Sequence, residues 1–546
     1  MHRNKTAYRK KIMVFMIVVV AIVLFLIGRL VYLMIFCSEY YGRKAEDLHE
    51  RERDIKAARG EIIDRNGVVL AENKTVCTIS VIHSQVKEPE LVISMLAKEL
   101  EMDEAEGRKR VEKVSSIERI KTNVDKKTGD AIRAYGYAGV KIDEDYKRYY
   151  PYDTLASKVL GFTGGDNQGI VGLEVKYDKY LQGENGKILT LTDARGVEIE
   201  NAGERRQEPV DGNDLHISLD YNIQMYAEQA AKKAMEEHGA ERVSVLMMNP
   251  QNGEILAMVN VPEFNLNEPF TIDGEVETNQ DKLNTMWRNA CINDTYEPGS
   301  TFKVLSTYAP ALDNAGMTLA TVFNDAPFNY NDGTPVRNWY TTGYEGISTI
   351  RKGIYRSMNV LTVKCLTQIT PKLGFDYLED FGFTTLNELD DCYQPMALGG
   401  VGGVTNLELC AAYASIANSG YYNKPRLYTR VLDADGNVIL DHRIPETRQV
   451  LKETTAFLLT SAMMDTMTIG TGKAANFSNS MSTAGKSGTT TLNKDSWFVG
   501  YTPYYTVSVW VGYDNSIEMT SKAEQGLAKK LWRAIMGETH NDLPNQ

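Results

Sequence analysis

Residues 12–28 read IMVFMIVVVAIVLFLIG, seventeen apolar or small residues without a break. At about 1.5 Å per residue they rise about 25 Å, just short of a hydrocarbon core of about 30 Å. LVYLMIF (30–36) extends the run beyond Arg29. That arginine can snorkel to the outer headgroups or face a partner helix. A run this long and this apolar spans a membrane, which fixes the first element of the fold as a helix over 12–36. The preceding MHRNKTAYRKK carries five Lys/Arg and no acid. Basic flanks stay in the cytoplasm. The following CSEYYGRK offers no small-residue cleavage site, so the span reads as a retained single-pass anchor. A cytoplasmic tail (1–11), an anchor (12–36) and an extracytoplasmic remainder (37–546) follow from these features.

The 546 residues exceed what one core organises, and two or more domains are expected beyond the anchor. A net charge of −12 argues against nucleic acid as a partner. Seven scattered histidines, no HExxH and no cysteine pair at zinc spacing argue against a metal, and no motif calls for a cofactor. The six cysteines (37, 77, 291, 365, 392, 410) show no framework spacing.

Residues 37–58 are highly charged and read as a helical stalk. RGEIIDRNGVVLAENKTVCTISV (59–81) alternates around a D-R-N-G turn and reads as a hairpin. Residues 88–135 have helical spacing. YKRYYPYDTLASKVLGFTG (146–164) and GIVGLEVKYDKYLQGENGKI (169–188) read as a second β-rich patch. Residues 37–210 thus form an α+β domain without evident chemistry. A boundary is expected at VDGND (210–214). A strand and an amphipathic helix follow in HISLDYNIQMYAEQAAKKAMEEHG, then two strands in VSVLMMNPQNGEILAMVNVP (243–262). The stretch 285–470 reads as helical, and TAGKSGTTT, DSWFVGYTP and YYTVSVWVGYD return to strands. Early strands, a helical middle and late strands predict one sheet whose two ends meet, with helices packed on it, over 211–546.

Three short motifs carry chemistry. YEPGSTFK (296–303) places Ser300 after a Pro-Gly turn, at the start of a helix whose free N–H groups favour developing negative charge. Lys303, three positions on, shares its face. It can act as a base only if burial or another cation lowers its pKa. AGKSGTT supplies that cation as Lys486, with Gly488 on the same side of a strand and hydroxyls at Ser487 and Thr489. YRSMNV offers Ser357 and Asn359, a hydroxyl for proton relay and an amide for a peptide carbonyl or a lysine. Each motif alone is cheap, since SQVK (84–87) and KTGD (127–130) match as well. The order and local context of the three give them weight. No histidine stands in a hydrolase setting and G-x-S-x-G is absent, so a nucleophilic Ser300 requires a lysine base.

S-x-x-K, S-x-N and K-[ST]-G in this order resemble the penicillin-binding proteins and serine β-lactamases. The resemblance is closest to class B penicillin-binding proteins, the membrane-anchored peptidoglycan D,D-transpeptidases, in their septal or sporulation-like branch. RGEIIDRNG, RYYPYDTLASKVLGFTG and GIVGLEVKYDKYLQG look like that family's pedestal, a dimerisation-like domain. NPQNGEILAMVNVPEFNLN, TNLELCAAYASIANSG and SWFVGYTP look like its transpeptidase domain. The resemblance implies an α+β penicillin-binding fold with a central antiparallel sheet. It implies Ser300 as the acylated nucleophile, Lys303 as its base and Ser357 as the relay to the leaving D-alanine. Asn359 would bind the donor peptide. Lys486, Ser487, Gly488 and Thr489 would hold the terminal carboxylate, and the N–H groups of Ser300 and Thr489 would form the oxyanion hole. It further implies D-Ala-D-Ala stem peptides and β-lactams as ligands, with a polytopic glycosyltransferase and the division machinery as partners. The chain reads ALGGVGGVT (397–405) where the family often has a Gly-Gln-Gly-like loop. The rival readings are a D,D-carboxypeptidase, a β-lactamase of the same fold, and a non-catalytic β-lactam sensor or division scaffold.

Overall fold

The computed structural model describes residues 3–38, 50–115, 117–191, 204–478, 480–515 and 517–545. Two compact units divide the chain. One comprises Met1–Ala57, Thr75–Lys147 and Glu184–Val210, the other Ala58–Lys74, Arg148–Gly183 and Asp211–Gln546. Segments 58–74 and 148–183, assigned above to the first extracytoplasmic domain, thus cluster with the larger unit.

In the smaller unit Arg3–Val31 is helical and continues as a π-helical turn, Tyr32–Phe36. Among the described residues, Arg9–Phe36 is the one helical stretch long and apolar enough to cross a membrane. The Arg29 guanidinium lies 5.4 Å from the Tyr32 ring centroid. The expected helical stalk needs correction. Residues 39–49 lie outside the described residues, and Glu50–Ile55 is a strand, antiparallel to Gly186–Leu191. Helices Pro89–Leu100, Glu104–Val111 and Lys126–Tyr135 form within 88–135 as expected, but Glu118–Asp125 is a strand paired with Val76–Val81. The decoy at 127–130 lies within the last of these helices. Cys77, Ile79, Val92, Leu96, Ile120 and Ile132 form this unit's core.

The larger unit is built on a five-stranded antiparallel sheet in the spatial order Ile255–Val261, Arg242–Met248, Thr506–Gly512, Asp495–Tyr501, Ala484–Thr489. The early and late strands meet where Arg242–Met248 pairs with Thr506–Gly512. Both faces are covered, which is why these strands read as apolar runs. Ala227 and Ala231 of Tyr221–His238 pack with Leu531, Trp532 and Ile535 of Leu527–Thr539 against Val245, Phe498 and Val509. Small residues let the first helix lie close. The opposite face, with Trp497, Val499 and Trp510, packs against Ala412 and Tyr413 of Asn406–Ala417 and the helices of the 300–370 region.

The patch 146–188, read as β-rich, is mostly turns and short helices (Ser157–Leu160, Gly172–Lys176, Asp178–Leu181). Its organising feature is a buried ion cluster. Glu174 accepts from Arg59 Nε (2.6 Å) and Arg148 Nε (2.7 Å), all three side chains being almost fully shielded. Arg59 Nη1 also reaches Asp178 (2.7 Å). All six cysteines are free.

Candidate active site

Ser300 stands in a tight turn. Gly299–Thr301 is a 3-10 turn, Lys303–Tyr308 is π-helical, and only Ala309–Asp313 is α-helical. The sequence led us to expect a plain helix here. Local unwinding of this kind recurs at functional sites. Three glycines let the backbones converge. Gly299 has φ +53°, and a Cβ on it would lie 3.0 Å from the Thr489 carbonyl oxygen. A Cβ on Gly399 would approach the Gly299 oxygen to 2.4 Å, and one on Gly488 the Pro298 oxygen to 2.5 Å. The ALGG segment therefore floors the Ser300 turn, and the Tyr296–Val404 bridge ties the two together. Tyr413 Oη donates to the Thr301 carbonyl (2.6 Å), and Trp497 Nε1 to that of Glu297 (2.9 Å). These contacts explain the structural part of TNLELCAAYA and SWFVGY.

Lys303 is fully buried. Its Nζ lies 2.8 Å from the Ser357 carbonyl, 3.2 Å from Ser357 Oγ and 2.5 Å from Asn359 Oδ1. Lys486, also fully buried, reaches Ser357 Oγ (2.9 Å) and the Ser487 carbonyl (3.1 Å). One hydroxyl thus bridges two lysines, and among the described residues no carboxylate pairs with either. Burial, and then the charge of Lys486, pull Lys303 well below the ordinary lysine range. Burial, and then Lys529, bring Lys486 down to about 7. Ser300 is half-buried at the mouth and Thr489 is exposed.

The three motifs converge on one cluster, with two adjustments. Ser487 Oγ turns to Thr471 Oγ1 (3.2 Å), away from the lysines. Asn359 is engaged on both sides, since Oδ1 accepts from Lys303 and Nδ2 donates to the Arg337 carbonyl (2.7 Å). Its second amide hydrogen has no acceptor among the described residues.

Sequence reasoning missed the supports. Asn338 Oδ1 accepts from the N–H groups of Asn359 and Val360 (2.9 and 3.2 Å), capping a helix that has no side-chain cap of its own. Lys529 Nζ donates to the Thr471 carbonyl (3.3 Å) behind the Lys486 strand. No local signal marks either residue. Among the described residues no cluster of His, Cys, Asp or Glu could hold a metal ion.

A sheet of this order, with two buried lysines sharing one serine hydroxyl beside its Ala484–Thr489 edge strand, defines a penicillin-binding fold. Penicillin Binding Protein 2X from Streptococcus thermophilus matches it with a TM-score of 0.73 at 20% identity, over 90% of this chain and 80% of that one. A peptidoglycan synthetase from Bifidobacterium adolescentis matches at 0.70 and 20%, over 91% and 98%. Residues 243–537 match the Penicillin binding protein transpeptidase domain, and residues 54–217 the Penicillin-binding Protein dimerisation domain. Stage V sporulation protein D of Bacillus subtilis is 30% identical over 548 residues, 94% of this chain and 83% of its own. The probable peptidoglycan D,D-transpeptidase PenA of Neisseria meningitidis serogroup A is 29% identical over 361 residues, 65% of this chain and 60% of its own. The chain belongs to the penicillin-binding proteins, in the class B group that joins a dimerisation domain to a transpeptidase domain.

Proposed function

We propose that the protein is a serine D,D-transpeptidase that joins peptidoglycan stem peptides through an acyl-enzyme on Ser300. The observation that carries this reading is the single hydroxyl of Ser357 between two buried lysines. Of the three groups around Lys303 Nζ, the Ser357 carbonyl and Asn359 Oδ1 only accept. A neutral amine meets both with its two hydrogens and keeps a lone pair for a hydroxyl, which is the state its lowered pKa favours. Ser300 Oγ is the hydroxyl that this lone pair serves; once protonated, Lys303 donates to Ser357 Oγ, which also accepts from Lys486 and whose own hydrogen is then free to move on.

Ser300 Oγ attacks the carbonyl of the D-Ala-D-Ala bond and its proton passes to Lys303. The N–H groups of Ser300 and Thr489 receive the oxyanion. The proton returns through Ser357 to the leaving D-alanine nitrogen as the C–N bond breaks. An amine of a second stem peptide then attacks the ester, forms the cross-link and restores the Ser300 hydroxyl. Lys486 and Thr489 hold the terminal carboxylate, Gly488 lets the peptide approach the strand, and Ser487 acts through Thr471. Asn359 positions Lys303 and offers its remaining hydrogen to the donor peptide.

On this reading the basic tail lies in the cytoplasm and the catalytic unit outside it, an orientation that the Lys/Arg excess before the apolar run favours. The divisions at residues 36 and 210, a polytopic glycosyltransferase partner and work at a division or sporulation septum belong to the same reading. Its test is intact mass of the detergent-solubilised full chain after brief benzylpenicillin exposure. One persistent penicilloyl adduct is expected, absent in Ser300→Ala. Rapid loss of the adduct with many turnovers would make the protein a β-lactamase. Release of D-alanine from a peptide without cross-linking when an amine acceptor is supplied would make it a carboxypeptidase. No adduct would remove Ser300 from the chemistry.

A further inference from the structure

The loop that fastens Asn359 carries a cation that the chemistry above does not use. Besides the Arg337 carbonyl and the Asn338 cap, Trp339 Nε1 donates to the carbonyl of Arg356 (3.0 Å), the residue before Ser357. Residues 337–339 are therefore laced along the Ser357–Asn359 segment through three consecutive positions. The charges around them are already matched. Asp325 accepts from Asn338 Nδ2, Tyr340 Oη and the Glu345 N–H, each at 2.9 Å. Glu345 pairs with Lys352 (2.8 Å) and Arg356 (3.2 Å). The Arg356 guanidinium also stacks on Trp339 and Tyr340, 5.4 and 4.9 Å from their centroids. Arg337 is exposed and, unlike Lys352 and Arg356 on the neighbouring helix, has no ion pair among the described residues. A guanidinium with fixed backbone and no internal acid is suited to two-point recognition of a carboxylate.

We propose that Arg337 is a specificity residue that reads a carboxylate on the donor stem peptide, upstream of the bond Ser300 breaks. The position favours the upstream part of the peptide, because the terminal carboxylate belongs to the Lys486 strand while Arg337 stands on the Asn359 side. Trp339, 55% exposed with Arg356 locked behind it, gives that side a rigid wall and limits how far the loop can yield. The proposal rests on the transpeptidase reading. Because the guanidinium is exposed, its contribution is modest, about tenfold in kcat/KM and mostly in KM.

The test compares two synthetic peptides ending in D-Ala-D-Ala that differ only in an upstream side-chain carboxylate or its carboxamide. Wild-type full chain, Arg337→Met and Arg337→Lys are each followed by D-alanine release. The wild type is expected to favour the carboxylate peptide about tenfold through KM, Arg337→Met to use both alike, and Arg337→Lys to recover part of the preference. Uptake of one penicilloyl group by every variant checks that the site is folded. Equal use of the two peptides by the wild type, or an unchanged preference in Arg337→Met, overturns the proposal. A wild type that takes up no penicilloyl group fails the transpeptidase reading instead, so the two failures are distinct.

Discussion

Removing the hydroxyl of Ser357 separates chemistry from fold, because the structure sets the two effects apart. Ser357 closes the helix Ile350–Arg356 in the left-handed region, φ +56°. A non-glycine residue there carries a strain of about 1 kcal/mol. Ser357→Ala keeps that strain and removes an acceptor from each lysine. Lys303 retains the Ser357 carbonyl and Asn359, and Lys486 retains the Ser487 carbonyl. The cost therefore falls at the lower end of the range for an impoverished buried donor, about 1–2 kcal/mol. Ser357→Gly loses the same contacts but relieves the strain, so it should melt above Ser357→Ala and close to wild type. If Ser357 Oγ carries the proton to the leaving group, both variants acylate about 10²–10⁴-fold more slowly. Stopped-flow acylation by a chromogenic β-lactam, with thermal melts of the same samples, reads both quantities. Acylation of Ser357→Gly at the wild-type rate would refute the relay. Slow acylation that tracked stability, with Ser357→Gly much faster than Ser357→Ala, would make Ser357 a structural residue.

Further expectations follow from charge and packing. If Lys303 is the base, its lowered pKa means that acylation should fall as pH drops through that pKa and recover above it. Lys486 holds a carboxylate only when protonated, so KM for an anionic donor should rise above pH 7 and binding should take up a proton, seen as buffer-dependent binding heat. Burial also pushes the Glu297 carboxyl up to about 7, so these profiles are read beside Glu297→Gln. Both lysines bind protons more weakly folded than unfolded, so thermal stability should rise with pH from about 7 until about 8.5, where unfolded cysteines ionise and the buried thiols, pushed up by burial, oppose the trend. Glu174→Ala strands the buried guanidinium groups of Arg59 and Arg148 and should cost about 3–5 kcal/mol by denaturant unfolding. Gly488→Ala drives a Cβ into the Pro298 oxygen and Thr301 Cγ2 and should cut acylation more than it lowers the melting temperature, which paired assays measure.

What could be read from the sequence, and what could not, has a physical pattern. The central sheet was legible because its strands are buried on both faces, and continuous apolar runs have few other homes. Glu118–Asp125 was not, because its buried residues, Ile120 and Val124, are four apart, a spacing that suits a helix face and one side of a strand equally. Glu50–Ile55 reads ERERDI and finds its partner only at 186–191, so no local pattern announces it. The aromatic patch after 146 looked like strands, yet Gly161 and Gly172, both with positive φ, bring two turns within backbone contact. A Cβ on Gly161 would lie 1.9 Å from the Val171 oxygen. The site divides in the same way. Ser300, Lys303, Ser357, Asn359 and Lys486 stood out in the sequence because the chemistry expected of them needs particular residue types at short spacings. What makes that chemistry work is supplied at long range. Gly399 opens room beneath the Ser300 turn, Asn338 caps the helix that presents Asn359, and burial, with Lys529 behind the strand adding to it, depresses Lys486. Motifs therefore report which residue types a proposed chemistry would need, while the positions and electrostatics of those residues are set by others with no motif at all.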